Sequence, residues 1–351
     1  MTGMPESLPA QLRSTDQLQQ AFAAGLGGML DADVLGGFIL VLANACHDSV
    51  LFERLAPSLR AAHARWCERF DRDDPLALNA AADDVEVFQR VRALGFDALP
   101  LTDWRDVGSW RLQFNALRAL RPPRNSQARI ESLQRPFDGA GFHFNKPFLR
   151  REIFWEGVLA GIPLRLLYNK FPFAEMHGLL VPEPDACHAQ FLTRAAHMIA
   201  WNTLDVLAPA LPGVGLGFNA IGALASVNHL HFQMFVNSAG GYPIESGAWR
   251  HNGGQLDYPL PVRRFDDPAA AWDMIETLHA REQAYNLVYR PGLVFVVPRA
   301  MQGSYRQDEW SAGFAWSEIA GVITLFDKDA FSSLNAQAIE RAYRQIRPQA
   351  V

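Results

Sequence analysis

Residues 228–236 read NHLHFQMFV. Side chains on an extended strand alternate between its two faces. His229, His231, Gln233 and Phe235 therefore share one face, and Leu230, Phe232, Met234 and Val236 share the other. Side chains two positions apart on a strand sit roughly 6.5–7 Å from one another. At that spacing one imidazole can attack a phosphorus while a neighbouring amide holds its oxygens. A neutral imidazole at His231 would attack the α-phosphorus of a nucleotide and form a covalent nucleotidyl-histidine, splitting one displacement into two. Its other nitrogen must then be tied to a fixed acceptor. Gln233 cannot take a proton, but its amide can donate to a non-bridging oxygen and stabilise transition-state charge. An amide here, where a third imidazole could activate water, favours transfer to a phosphate or sugar phosphate over hydrolysis. His229 would orient the site.

Two blander readings compete. His229 and His231 could ligate zinc, but no third ligand of cysteine or paired-histidine type is evident nearby, so no metal is expected. A purely structural His-His-Gln face would bury three polar groups without a task, which is costly.

Upstream, GVGLGFNAIGALAS is glycine-rich and leads into the His strand. Small residues there let backbone approach a ligand closely. Asn219 and Ser226 would supply amide and hydroxyl donors; otherwise they are plain turn and capping groups. His177 opens the run HGLLVP, where it either lines the pocket or simply starts a strand.

The elements that must position these groups fall into two textures. Residues 14 to about 120 read as helical, with Leu18, Phe22, Leu26 and Met29 at three-four spacing. No chemistry is visible in this stretch, so packing or interface is its expected role. Pro122, Pro123 and the polar NSQAR suggest a boundary. The expected division is a helical N-terminal region, 1–125, and a catalytic region, 126–351. Strands are expected at 164–169 and 177–182, joined by the turn KFPFAEM. A helix is expected at about 189–207, with Phe191, Ala195, Met198 and Ile199 on one side. A faint repeat pairs Tyr168, Asn169, Val181 and Pro182 with Tyr285, Asn286, Val297 and Pro298. It suggests two copies of one α+β unit, an active half at about 130–240 and a degenerate half at about 255–345.

Composition narrows the partners. The 351 residues carry a net charge of −5 with 49% hydrophobic content, which fits a globular protein and argues against a general nucleic-acid binder. Cys46, Cys67 and Cys187 are odd in number and form no CxxC, so no disulfide framework is expected. The N-terminus lacks the layout of a signal peptide. The apolar run Val34–Ala45 is shorter than the roughly 20 residues a membrane helix needs. A cytoplasmic protein without a membrane partner is the expectation.

These residues resemble the histidine-triad superfamily, specifically its transferase and phosphorylase branch, which carries His-x-His-x-Gln. The likeness is nearest to the GDP-hexose phosphorylases, which act on GDP-L-galactose or GDP-D-glucose. FNAIGALASVNHLHFQ resembles their signature, and QRPFDGAGFHFNKP, YNKFPFAEMHGLLVPEP and AWSEIAGVITLFDKDAF resemble flanking pieces. The likeness spans about 130–345; the 1–125 stretch has no counterpart in it. It implies an α+β fold of the galactose-1-phosphate uridylyltransferase type, a duplicated antiparallel sheet with helices. It implies His231 as nucleophile and Gln233 as holder of the phosphoryl oxygens. Asn219 and Ser226 match phosphate-contacting positions, Asn169 and His177 would sit by the nucleotide pocket, and Lys146 near phosphate. The implied substrates are a nucleotide sugar and inorganic phosphate, with no cofactor required and a homodimer as the superfamily's common assembly. Other enzymes of the branch, a uridylyltransferase or a diadenosine polyphosphate phosphorylase, fit the same motif. So does a non-catalytic nucleotide sensor or scaffold built on the fold.

Overall fold

The computed structural model describes residues 8–121, 129–237 and 240–348. The N-terminal leader reading rests mostly on residues 1–7, and the Pro122–Pro123 boundary on 122–128; both lie outside the described residues.

The first third forms helices because its apolar residues recur at helical spacing and its caps are in place. Ser14 accepts the amide of Gln17 to start the helix Thr15–Met29, whose Leu18, Phe22, Leu26 and Met29 are buried as the spacing predicts. The apolar run at 34–45 becomes the helix Leu35–His47, buried along nearly its whole length by its neighbours. Asp48 caps the amphipathic helix Ser49–Asp71, and Ala82–Leu94 completes the layer. Among the described residues no helix is long and apolar enough to cross a membrane.

The helical expectation fails after Ala98. Asp103–Val107 (β1) and Trp110–Phe114 (β2) form an antiparallel hairpin around Gly108, which holds a φ of +61°. Glycine tolerates that backbone conformation at the turn. Period-two burial of Trp110 and Leu112 is the signal that a helical reading overlooks.

The remaining strands are β3 (Ile153–Leu159), β4 (Ile162–Tyr168), β5 (Gly178–Pro182), β6 (Val214–Asn219), β7 (Phe232–Val236), β8 (Arg263–Phe265), β9 (Tyr285–Arg290), β10 (Leu293–Pro298) and β11 (Val322–Leu325). Eight of them make one antiparallel sheet in the order β3-β4-β5-β7-β6-β9-β10-β8, and β11 adds to β2 in parallel to complete a three-stranded sheet. β4 and β5 match the strands expected at 164–169 and 177–182. The α+β class with an antiparallel sheet and an added helical region is as expected.

One face of the large sheet buries Phe232 and Met234 of β7 with Leu216, Phe218, Leu287 and Tyr289, beneath the helices Arg194–Leu207 and Pro268–Ala280. The opposite face carries Phe235, Val288 and Phe295 against Trp316, Ile323 and the C-terminal helix Ala336–Gln345. The alternation in β7 thus divides two cores.

The helix expected at 189–207 begins only at Arg194. Thr193 accepts the amide of Ala196 and caps it, and its buried stripe is Ala196, His197, Ala200, Trp201, Leu204 and Leu207. The expected Phe191–Ala195–Met198–Ile199 side is therefore replaced by an adjacent one.

The repeat also takes a different register. Tyr168 ends β4, whereas Tyr285 begins β9. The unit that recurs is helix, strand, strand: Arg194–Leu207 with β6 and β7, then Pro268–Ala280 with β9 and β10. In each, the last strand returns to pair with the strand before the helix, β7 with β5 and β10 with β8. β6 and β9 join the units, with Asn219 opposite Asn286. β10, which takes the place of the His strand, reads LVFVVP and carries no histidine.

Candidate active site

His231 stands one residue before β7 and is only 6% exposed. Its Nδ1 lies 2.8 Å from the carbonyl oxygen of His229. A carbonyl only accepts, so Nδ1 carries the proton and Nε2 carries the lone pair. Burial presses the ring's pKa down to about 4, against the opposing pull of that carbonyl. The imidazole is thus neutral near pH 7, with the fixed acceptor that a nucleophile needs.

Gln190 sets the backbone of this residue. Its Oε1 accepts the His231 amide at 2.9 Å, while its Nε2 donates to the carbonyls of Asn219 at 3.0 Å and His231 at 3.2 Å. Asn228 holds the next layer, accepting the Gln190 amide and donating to the carbonyls of Arg135 and Pro136.

His229 is 1% exposed and lies among aromatic rings, stacked on Phe144 at 5.6 Å and edge-on to Phe137 at 5.4 Å. Phe144 also meets the His231 ring edge-on at 5.0 Å. The Phe144 amide donates to Nδ1 of His229 at 3.1 Å, so the proton of His229 is on Nε2. That Nε2 is buried without a partner among the described residues. Burial, then the neighbouring His231, hold His229 down to about 4, so it too is neutral. An orphaned buried donor of this kind costs about 1–3 kcal/mol until an acceptor arrives.

Gln233 is aimed by two donors. The indole Nε1 of Trp316 reaches its Oε1 at 2.7 Å, and Nε2 of His177 reaches it at 3.1 Å. An indole can only donate, so the oxygen must face Trp316 and the NH2 group must face away. The room for this comes from Gly217, directly opposite Gln233 on β6. A Cβ there would lie 2.2 Å from the Trp316 ring. The ring also stacks on Phe235 at 4.8 Å. Trp316 is held by its own amide, which donates to Oδ1 of Asn219 at 2.8 Å.

His177 is fully buried, and its Nδ1 accepts the Phe173 amide at 3.2 Å. Its proton is therefore on Nε2, directed at Gln233. Desolvation, then the nearby Arg118, hold its pKa well below the usual imidazole value. Asn169 lies beside it, with Nδ2 3.3 Å from His177 Nε2, a spacing that the Nε2 proton leaves as a contact of two donors, and with Oδ1 accepting the Phe171 amide. Asn219 spends its Oδ1 on Trp316 and on Asn286. Ser226 is exposed on the approach to the His strand. Lys146 donates to the carbonyls of Gly139 and Ala140, bracing the loop that carries Phe137 and Phe144. The structure thus joins His231, His229, Gln233, His177, Asn219 and Asn169 around one sheet region. It adds Trp316, Gln190 and Phe144, which sequence spacing did not single out.

A cavity of about 1360 Å³ lies elsewhere, lined by Trp104, Arg111, Phe173, Met176, Val236 and Tyr242 among others, and by none of His229, His231 or Gln233. It opens at the far end of β7. Chemistry, not size, locates the site. Among the described residues no group of three or more His, Cys, Asp or Glu is placed to hold a metal ion.

Residues 109–235 match the family model described as GDPGP1-like, N-terminal domain. This segment contains His229, His231 and Gln233 with β2 to β7. The chain is similar to GDP-hexose phosphorylases. It is 37% identical over 119 residues to GDP-D-glucose phosphorylase 1 of Danio rerio, an overlap covering 34% of each chain. The human GDP-D-glucose phosphorylase 1 is 34% identical over 145 residues, 37% of this chain and 36% of that one. GDP-L-galactose phosphorylase 2 of Arabidopsis thaliana is 30% identical over 144 residues, 36% of this chain and 32% of that one. The alignments thus span about a third of the length of these relatives. Among solved structures, yeast Ap4A phosphorylase Apa2 superposes with a TM-score of 0.50 at 15% identity, over 76% of this chain and 95% of that one. The two share a mixed α+β fold with antiparallel sheets and helices, as the resemblance implied.

Proposed function

We propose that this protein is a nucleotidyltransferase that phosphorolyses a GDP-hexose through a covalent nucleotidyl-histidine. The observation that carries the reading is the tautomer of His231. With Nδ1–H bound to the His229 carbonyl, Nε2 is a neutral, unprotonated nucleophile. Nε2 attacks the α-phosphorus; the new P–N bond forms as the P–O bond to hexose-1-phosphate breaks. Inorganic phosphate then attacks the same phosphorus, the P–N bond breaks, and GDP leaves. Gln233 donates its NH2 group to a non-bridging oxygen during both displacements. The unpartnered Nε2–H of His229 supplies a second donor for the anion. Burial strengthens both contacts, since there is little water to compete.

The half at about 130–240 supplies the nucleophile and the amide, and the half at about 255–345 supplies the indole that aims the amide. GDP-hexose is favoured as donor by the names of the relatives. No cofactor or metal takes part in this scheme, and Asn219, Ser226 and Lys146 are assigned to substrate contact by resemblance.

The test is to incubate the protein with GDP-glucose labelled in the guanylyl group, with and without inorganic phosphate. An acid-labile protein adduct is expected, discharged as GDP by phosphate and absent in His231→Ala. UDP-sugars, ADP-sugars and dinucleoside polyphosphates run alongside to set the donor. Turnover by His231→Ala above a few per cent of wild type would sink the covalent route. No adduct with any of these donors would favour a nucleotide-sensing role.

A further inference from the structure

The turn between β4 and β5, residues 169–177, is where His177 takes its orientation. Its carbonyls are taken up almost one after another by side chains from the first third of the chain. Asn44 Nδ2 donates to the Asn169 carbonyl at 3.0 Å, and Arg118 Nη1 to the Phe171 carbonyl at 2.6 Å. Asn115 Nδ2 donates to the Pro172 carbonyl at 2.8 Å, and Gln113 Nε2 to the Phe173 carbonyl at 3.2 Å. The Arg118 guanidinium also lies over the Phe173 ring, 4.7 Å from its centre. Asn44, Gln113 and Asn115 are themselves buried.

Four side chains thus take up four of the five carbonyls from 169 to 173. Residues 171–174 are buried, where a carbonyl without a partner would be costly. The Asn115 bond to the Pro172 carbonyl fixes the Pro172–Phe173 peptide plane, and with it the Phe173 N–H that His177 Nδ1 accepts. That bond keeps the His177 proton on Nε2, facing Gln233. A loosened turn would let His177 take the other tautomer. Its Nε2 would then be a lone pair that accepts from Asn169 Nδ2, and its contact with the Gln233 oxygen would turn repulsive.

We infer that Asn115, directly after β2, is a positioning residue for Gln233, acting through the Pro172–Phe173 peptide and the tautomer of His177. The hairpin and helices of the first third thereby form the outer end of a hydrogen-bond relay into the site. The claim rests on the role given above to Gln233; the relay itself is a matter of proton location and is measurable without turnover.

The experiment uses the full-length protein with ¹⁵N-histidine. In wild type the His177 ring, assigned by difference with His177→Gln, shows the Nε2–H tautomer. Asn115→Leu keeps the volume and removes the donor, and is expected to show a substantial Nδ1–H population at 177. An unchanged, single Nε2–H tautomer in folded Asn115→Leu would overturn the proposal. Kinetics give the second reading with GDP-glucose and phosphate. Asn115→Leu should lower kcat about tenfold with KM within about twofold. In a Gln233→Ala background it should cost little more. A merely structural role would leave kcat per folded molecule unchanged, or cost the same in both backgrounds; either outcome overturns the proposal. If wild type has the expected tautomer but no turnover, the functional reading fails while the relay stands.

Discussion

Trp316 and Gln233 meet through one bond, indole N–H to amide oxygen at 2.7 Å, and this bond decides which way the amide faces. The two residues are 83 positions apart. Without the indole only His177 would hold the amide oxygen and the amide would turn more freely, while only its NH2 end can donate to a phosphoryl oxygen.

Trp316→Phe should therefore keep the ring that stacks on Phe235 while releasing the amide. A single neutral hydrogen bond is worth about 1 kcal/mol to stability, so the melting temperature should fall only a few degrees. The rate of adduct formation should fall about tenfold, the equivalent of about 1.4 kcal/mol of transition-state stabilisation. Single-turnover kinetics beside a thermal melt would check this. A wild-type rate would mean that His177 alone suffices.

Gly217→Ala attacks the same arrangement from below. The added methyl would lie within van der Waals distance of the indole and must displace it. Overpacking of this kind costs about 1–3 kcal/mol. Stability and rate should fall together, unlike in Trp316→Phe. Denaturant unfolding with activity assays on the same samples separates the two patterns.

Gln233→His tests the choice of amide over imidazole. Trp316 and His177 both direct donors at this position, and an imidazole offers one acceptor at most. The substituted ring would turn a protonatable nitrogen toward the site and raise hydrolysis relative to phosphorolysis. Quantifying GMP against GDP reads this directly, and an unchanged ratio would contradict the role given to the glutamine.

The buried imidazoles also predict a pH dependence. His231 and His229 are held at about 4 when folded, against 6.5 for the free side chain, and His177 is lowered as well. The unfolded chain therefore binds more protons than the folded one between pH 6.5 and 4. The stability that these rings contribute is present above about pH 6.5 and is lost as the pH falls toward 4, by up to about 3 kcal/mol each for His231 and His229. Urea midpoints at pH 7.5, 6, 5 and 4.5 should fall in that order. The adduct-forming step should show no inflection from His231 between pH 6 and 8, since its lone pair is free throughout.

The His strand was legible in sequence because its information is local: alternation of residue types sets the faces wherever the strand lies. β4 and β5 were legible for the same reason. Trp316 and Gln190 were not, because their roles come from contacts 83 and 41 residues away. AWSEIAG was seen as a motif, but nothing in it says that the indole would stand over Gly217. His177 was placed between two possibilities, pocket lining or strand start. Its burial and its bond to Gln233 put it behind the amide. The β1–β2 hairpin was missed because its alternation is confined to two five-residue strands after a long helical stretch, and its partner β11 lies near the other end of the chain.

That late partner has a consequence for synthesis. β11 follows Trp316 by six residues and joins β2 in parallel. A nascent polypeptide arrested before position 316 would already contain the proposed nucleophile His231, yet lack both the indole and the strand that seals the hairpin. On the proposed mechanism, competence to transfer a nucleotide would then wait until Trp316 and β11 have been made.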